Sequence, residues 1–244
     1  DAALVGTDSL VLVDEAHLAT ALLTTVQAAQ ERDRLGVPVP GLSLVRLTAT
    51  GTPIEHVFTL DVDAHRSNPE AWRRLTAAKR LTTRESNAKD CVKVLAESAV
   101  DQVRALGSPN GQAPTVAVVC NTVDRARAVH STLAKLLAAR NAPSDVDCEL
   151  LIGRNRSLNR LEVQDRILRR FGTKRGSAHR PAILIATQTI EVGVNLDVDA
   201  LVTESASWDA LVQRLGRLNR LGRFTERCPG HEAAPAIVVH DGQN

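Results

Sequence analysis

The sequence contains no methionine and no tyrosine, and aromatic residues make up only 2% of its 244 residues. So few aromatic side chains argue against a protein that binds nucleic acid mainly by stacking bases. A complete translated chain begins with Met, whereas this one begins with Asp1. We therefore expect the sequence to be a piece of a longer protein.

Cysteines and long apolar runs are also scarce. The four cysteines form no C-x-x-C pair, so the spacing indicates neither a zinc site nor a disulfide scaffold and is typical of a reducing cytosol. The longest apolar runs, such as 10–13 and 116–120, are too short to span a membrane, and no leader-type segment precedes them. We expect a soluble, cytoplasmic protein without a membrane partner.

The charges nearly balance, with a net charge of +2 and 24% charged residues. Such a balance excludes nucleic-acid binding by bulk charge, so any phosphate contacts must come from local clusters. With 43% hydrophobic residues, the composition is that of a globular protein and excludes collagen and disordered chains.

Short β-branched runs alternate with longer segments of helical periodicity, which predicts an α/β fold with a parallel sheet covered by helices. Most of the runs lack apolar/polar alternation, as expected of strands that are covered on both faces. The predicted strands are 9–13, 42–47, 115–120, 147–152, 182–186, 200–203 and 236–240.

Two helices and one domain boundary are also predicted. One helix has Ser86 as its N-cap, apolar residues at helical spacing from Val92 to Leu106, and Gly107 as its stop signal. The other covers 158–171, and its arginines are typical of an ordinary solvated face over an apolar stripe. The boundary falls within 61–85, where the strand-like sequence gives way to a basic stretch.

The segment 11–17 reads Val-Leu-Val-Asp-Glu-Ala-His, a strand that ends in two acids and a histidine. Ligands of open α/β sheets bind beyond the carboxyl ends of strands. There one carboxylate can hold Mg²⁺ and the next can position water for attack on a γ-phosphate. The alternative is a helix N-terminus that carries acids because the helix dipole favours them.

Thr48-Ala49-Thr50 follows the next predicted strand. The tripeptide is interesting because it too leaves the carboxyl end of a strand. An ordinary hydroxyl-rich turn is the alternative.

Two further segments lie late in the chain. The strand 183–186 runs into a loop with hydroxyl, amide and acid groups, which ends at Asp197. The segment 213–222 reads Gln-Arg-Leu-Gly-Arg-Leu-Asn-Arg-Leu-Gly, and its Arg217 and Arg220 are spaced to share one helical face and contact one phosphate. Surface salt bridges could explain the arginines but not the Gln or the glycines.

In order and spacing these segments resemble motifs of superfamily 2 DEAH-box helicases. The correspondence is motif II at 14–17, motif III at 48–50, motif V at 187–197 and motif VI at 213–220. Motifs V and VI are similar to those of the CRISPR-associated helicase-nucleases of type I interference systems. The resemblance implies a P-loop NTPase fold with RecA-like sheets: the C-terminal part of a first domain at 1–66, and a second domain with motifs IV, V and VI at 67–244.

The resemblance also implies ATP and Mg²⁺ as cofactors and gives roles to residues of motifs II and III. Asp14 would coordinate magnesium and Glu15 would orient the attacking water. His17, Thr48 and Thr50 would couple the state of the nucleotide to the nucleic-acid groove.

Motifs V and VI receive their roles in the same way. Arg217 and Arg220 would be arginine fingers that reach the nucleotide from the second domain, with Gln213 beside them. Gly193, Asn195 and Asp197 would approach the nucleotide from motif V, although many members of that family carry Ser and Asp where this chain has Gly193 and Asn195.

Nucleic-acid contacts are expected at Asn121, Arg154, Arg156 and Thr187. Grooves that track a single strand in such motors bind backbone phosphates, so binding should tolerate sequence and weaken with salt.

The phosphate-binding loop GxxxxGK[ST] and the His-Asp pair of the nuclease domain are absent from the sequence. Both are expected upstream of Asp1. We expect residues 1–244 alone to hydrolyse no ATP, because the lysine and the backbone N–H groups that such a loop provides for the ATP phosphates would be lacking.

The function implied is an ATP-dependent translocase and helicase on single-stranded DNA. It would serve a nuclease within a prokaryotic CRISPR effector complex. One alternative is another superfamily 2 DNA or RNA helicase. Another is a non-hydrolysing nucleic-acid-binding module with a helicase fold, against which the intact Asp14, Glu15, Arg217 and Arg220 argue.

Overall fold

A computed structural model of the chain describes residues 9–16, 19–33, 41–48, 61–108, 112–139, 143, 145–153, 157–176, 180–191 and 194–242. The chain divides into two compact units, Asp1–Leu60 and Asp61–Asn244. The division lies close to the boundary expected between residues 66 and 67, and the assignment of the units to RecA-like domains stays a prediction.

The first unit contains strand β1 (Leu10–Val13), helix α1 (Thr20–Asp33) and strand β2 (Ser43–Arg46). The two strands pair in parallel, with Val13 opposite Arg46. A small apolar cluster of Val13, Ala16 and Leu23 packs beside the strands. Both carboxyl ends therefore lie at one edge of the described sheet.

The second unit is built on a parallel sheet flanked by helices, as the sequence predicts. Its strands are β3 (Lys79–Glu85), β4 (Thr115–Val119), β5 (Asp147–Leu151), β6 (Ala182–Ala186), β7 (Ala200–Glu204) and β8 (Ala234–His240). Its helices are α2 (Pro69–Leu75), α3 (Cys91–Leu106), α4 (Val123–Leu137), α5 (Ser157–Phe171), α6 (Trp208–Leu215) and α7 (Phe224–Arg227), with a 3₁₀ turn at Gln188–Ile190.

The described strands follow the order β3-β8-β7-β4-β6-β5, and every pair is parallel. Every residue of β4, β6 and β7 is buried, which confirms the interpretation of their non-alternating sequences. Burying one large aliphatic side chain contributes about 1.5–3 kcal/mol, so these central strands carry much of the stability of the core.

Helix α3 covers the sheet with an apolar face that includes Leu95, Ala99 and Val103. It ends as predicted at Gly107, whose φ of 61° suits a glycine. The predicted start was wrong, because the helix begins after Asp90. Ser86 instead donates its backbone N–H to the His240 carbonyl, just beyond strand β3.

Strand β3 was also missed, because its sequence Lys-Arg-Leu-Thr-Thr-Arg-Glu looks like a basic connection. It lies at one end of the described strand order and pairs only with β8 there, so all seven of its residues are exposed. An edge strand with charged side chains carries little apolar signal and resists unwanted pairing.

Among the described residues, no helix has both the length and the apolar character needed to cross a membrane.

Candidate functional site

The acidic turn of the first unit starts where β1 ends. Glu15 has a φ of 48°, a conformation that costs a non-glycine residue roughly 1–2 kcal/mol. The backbone N–H of Glu15 donates to Asp14 Oδ1 at 3.0 Å, and that of Ala16 donates to the Leu47 carbonyl at 3.0 Å. The turn is thus tied to the end of β2, while the Asp14 side chain is exposed.

Thr48 lies two residues after the end of β2. The N–H of Leu47, the residue before it, donates to the Val13 carbonyl at 2.9 Å, one residue before Asp14. The predicted motif II acids and the first threonine of motif III therefore lie beyond neighbouring parallel strands, as the sequence predicts for them. Their chemical roles stay predictions.

An exposed carboxylate at a strand end suits Mg²⁺, which keeps several waters and commonly takes only one or two carboxylates from the protein. Asp14 fits that pattern. Within the described part of the chain, no group of three or more His, Cys, Asp or Glu residues forms a protein-only metal cage.

In the second unit, predicted motif V begins where β6 ends. Thr187 is buried at 7% exposure and is followed by the 3₁₀ turn Gln188–Ile190. Asn195 is exposed, and its carbonyl accepts from the N–H of Thr173 at 3.1 Å.

Arg217 of motif VI holds the end of this 3₁₀ turn. Its Nε donates to the Ile190 carbonyl at 2.8 Å and its Nη2 donates to the Glu191 carbonyl at 2.5 Å. The side chain is buried, with a residue exposure of 8%. A surface salt bridge therefore does not explain Arg217, and motifs V and VI form one connected structure.

Arg214, which the sequence analysis did not select, is fully buried and has partners from several elements. Its Nε donates to Glu191 Oε1 at 2.8 Å. Nη1 donates to Thr203 Oγ1 at 2.8 Å and to the Glu204 carbonyl, and Nη2 donates to Asn121 Oδ1 at 3.0 Å. The signal available in the sequence was the place of Arg214 beside Gln213 in the predicted motif VI.

Asn121, predicted as a nucleic-acid contact, already has partners within the protein. Its side chain accepts from Arg214 and donates to the Ser205 carbonyl at 2.8 Å. Its backbone N–H donates to Glu204, a buried carboxylate that also pairs with Arg125. This geometry favours a role for Asn121 in supporting Arg214.

Asp197, predicted to approach the nucleotide, is instead buried at 1% exposure. One carboxylate oxygen accepts from Arg227 Nη1 at 2.9 Å, and the other accepts from the backbone N–H of Leu221 at 3.4 Å. Asp197 thus holds the loop after Arg220, a structural role in place of the predicted nucleotide contact.

Asp199, two residues later, completes a buried charged network. It accepts from Arg175 Nη2 at 2.8 and 2.9 Å, from Arg227 Nε at 2.7 Å, and from the N–H and hydroxyl of Thr115 at 2.9 and 3.0 Å. Burial alone would raise the pKa of Asp199, but Arg175, Arg227 and Thr115 outweigh it and hold the pKa below its ordinary value.

Gln213 and Arg220 are both partly exposed. The pKa of Lys79, at the start of β3, is lowered below its ordinary value, first because surrounding protein atoms partly desolvate its ammonium group. Asp197 acts in the opposite direction and raises this pKa, and Arg220 lowers it. Arg220 therefore lies in a region that also contains the Lys79 ammonium and the Asp197 carboxylate.

The cysteine thiols are not candidates for chemistry. Burial raises the pKa of Cys120 and Cys228 to about 12 and that of Cys148 to about 11. Thiols with such pKa values stay protonated at neutral pH and behave as small apolar groups.

Five of the predicted site residues, His17, Thr50, Arg154, Arg156 and Gly193, lie outside the described residues.

Comparisons with known proteins agree with this geometry. Residues 112–223 match the family model for "CRISPR-associated nuclease/helicase Cas3, C-terminal". A stretch of 129 residues is 36% identical to the CRISPR-associated endonuclease/helicase Cas3 of Escherichia coli (strain K12), covering 52% of this chain and 14% of that protein.

Solved structures show the same fold. The crystal structure of T. fusca Cas3 matches 97% of this chain and 30% of its own, with a TM-score of 0.66 and 22% identity. A chain from a structure titled "CRISPR RNA-guided surveillance complex, pre-nicking" matches 97% of this chain and 32% of its own, with a TM-score of 0.63 and 20% identity.

The chain therefore spans less than a third of these relatives. Within that share, the family match covers the predicted motifs V and VI, and the structural match extends over both units. Residues 112–223 are thus similar to the C-terminal part of Cas3 nuclease/helicases, and the chain shares the fold of the solved Cas3 structures.

Proposed function

We propose that this chain is part of an ATP-driven translocase and helicase that acts on single-stranded DNA. The observation that carries the proposal is the contact of Arg217 with the Ile190 and Glu191 carbonyls. It fixes an arginine of motif VI against the motif V turn, which follows directly on Thr187, the proposed strand contact. One packed structure thus joins the groups proposed for the nucleotide and for the strand.

Nucleotide chemistry is assigned to four residues. Asp14 would hold Mg²⁺, which when bound neutralises phosphate charge, and Glu15 would orient the attacking water. Arg217 and Arg220 would stabilise the negative charge that develops on the transferred phosphoryl group. Gln213, Gly193 and Asn195 are proposed beside the nucleotide. The crystal structures of T. fusca Cas3-ATP and T. fusca Cas3-AMPPNP match this chain, which supports the proposal that it binds a nucleotide.

Strand contacts are assigned to Thr187, Arg154 and Arg156. These side-chain types bind backbone phosphates and give affinity without base specificity. His17, Thr48 and Thr50 would couple the two activities, because the described Thr48 lies beyond the strand next to the acidic turn.

The proposed setting is a prokaryotic type I CRISPR system. The E. coli relative is named an endonuclease/helicase, and one structural match comes from a surveillance complex. We therefore propose that the complete protein works in the cytoplasm with an effector complex, and that a phosphate-binding loop and a nuclease domain precede Asp1. Residues 1–244 without that loop would not turn over ATP.

The test is Glu15→Gln in the complete protein. The amide keeps the size of the side chain but lacks the charge and one of the two acceptor oxygens with which the carboxylate would orient and polarise the attacking water. Turnover should therefore fall by at least about 10²-fold while ATP binding persists. Glu31→Gln, on the exposed face of α1, is the matched control and should retain wild-type turnover. Full activity of Glu15→Gln would contradict the proposed role.

A further inference from the structure

Helix α2, the first helix of the second unit, lies against the loop that follows Arg220. The Nε of Arg73 donates to the Leu221 carbonyl at 3.2 Å. The N–H of the same Leu221 donates to Asp197 at 3.4 Å. Both polar backbone groups of the residue after Arg220 are therefore held, one of them by α2.

Gly222 shows how close this approach is. Its φ is +68°, and a Cβ placed on it would lie 2.2 Å from the Arg73 carbonyl oxygen and 2.6 Å from Arg73 Cγ. Neither the conformation nor the space accepts a side chain. The close approach of the Arg73 backbone and side chain thus explains why a glycine ends the segment 213–222.

The residue before Arg220 is contacted from the same part of the chain. Asn219 Nδ2 donates to the carbonyl of Ala78, between α2 and β3, at 3.4 Å. Asn219 Oδ1 accepts from the N–H of Phe224 at 3.0 Å. The segment from Arg73 to Ala78 therefore touches the loop on both sides of Arg220.

Surface ion pairing is the simpler explanation of why residue 73 is an arginine. Its guanidinium lies 3.5 Å from Glu226 and 3.6 Å from Glu70, whose side chains are 58% and 63% exposed. Exposed pairs of this kind contribute roughly 0–1 kcal/mol. They explain neither the hydrogen bond from Nε to a backbone carbonyl nor the close approach at Gly222.

We propose that Arg73 is a positioning residue for Arg220, which it places through Leu221 and Gly222. The inference rests on the proposed function, in which Arg220 acts on the nucleotide. In this proposal Arg73 acts through the loop and not on the substrate. It sets where the loop holds the Arg220 guanidinium, and a displacement of about 1 Å at such a group can cost about 10²-fold in rate.

Three variants separate the two explanations. Arg73→Ala removes the Nε donor and the charge. Arg73→Gln removes the charge but keeps an N–H donor at the same number of bonds from the backbone. Arg74→Ala is the control, since Arg74 is the next residue of α2 and extends to Glu70 at 3.8 Å.

Hydrogen exchange of residues 217–223 in the 1–244 chain is the first measurement. We expect faster exchange in Arg73→Ala and wild-type exchange in Arg73→Gln and Arg74→Ala. This readout needs no nucleotide, so its result is independent of whether the chain belongs to an ATP-driven motor.

Nucleic-acid-stimulated ATP hydrolysis by the complete protein is the second measurement. Arg73→Ala should lower kcat by roughly 10²-fold with little change in KM, and Arg73→Gln should keep most of kcat. If Arg73→Gln matches Arg73→Ala in exchange and in kcat, ion pairing accounts for the residue and the proposal is overturned. Equal behaviour of Arg73→Ala and Arg74→Ala would also overturn it.

Discussion

Replacing Asp199 with asparagine tests the buried charged network beneath motifs V and VI. Asp199 is 1% exposed and its carboxylate is shared by Arg175 and Arg227, whose side chains are 8% and 11% exposed. The substitution keeps the shape but removes the carboxylate that pairs with Arg175, and it leaves Arg227 with the carboxylate of Asp197. Removing one partner of a buried ion pair costs about 3–5 kcal/mol.

The lower end of that range is expected, because asparagine keeps an oxygen that can accept from Thr115. A loss of about 3 kcal/mol corresponds to a fall in Tm of roughly 6–12 °C for a unit of this size. Thermal and urea unfolding of the 1–244 chain would measure it. The control is Asp147→Asn, which weakens a partly exposed pair with Arg170 at 2.9 Å and should cost less than about 1 kcal/mol.

The pH dependence gives a second check on the same residue. The native pKa of Asp199 lies below its ordinary value, so its contribution is present above the unfolded pKa of about 3.9. It is lost as the pH falls through the lower native value. The wild-type advantage over Asp199→Asn should therefore shrink below about pH 4. If the Asp199→Asn chain has the same Tm as the Asp147→Asn control, the proposed importance of the buried network is refuted.

Two further predictions concern Arg214 and the proposed strand contacts. Arg214→Met should lower the free energy of unfolding measured in urea by about 3–5 kcal/mol, because Glu191 loses its buried partner. The control Arg223→Met removes an exposed ion pair at 3.6 Å and should lower it little. Equal losses in the two variants would contradict the structural role of Arg214. Joint replacement of Arg154 and Arg156 by alanine in the complete protein should flatten the slope of log K against log salt by about 1.4 for single-stranded DNA. An unchanged slope would contradict the proposed strand contacts and would indicate that Arg154 and Arg156 are ordinary surface residues.

The sequence predicts the sheet well because its central strands are defined by local apolar runs. Each predicted strand is present, and α3 stops at Gly107 as its sequence indicates. Strand β3 was missed because its stability comes from pairing with β8 and not from apolar residues of its own.

The candidate site was predictable in its motifs and not in its supporting contacts. The positions of Asp14 and Thr48 beyond neighbouring strands follow from local sequence. The partners of Arg214 and Asp199 do not, because they come from residues far apart in the chain, such as Asn121 and Arg175. The same holds for Asp197, whose buried pair with Arg227 depends on α7.

Nucleic-acid-stimulated ATP hydrolysis by the complete protein carrying Arg220→Ala tests the central claim most directly. Arg220 is preferable to Arg217, whose replacement would also remove the hydrogen bonds to Ile190 and Glu191. The account predicts a fall in kcat of roughly 10³–10⁵-fold, with ATP binding retained and with wild-type activity in the exposed control Arg223→Ala. A kcat that stays near the wild-type value in Arg220→Ala would contradict the claim that this arginine acts on the nucleotide.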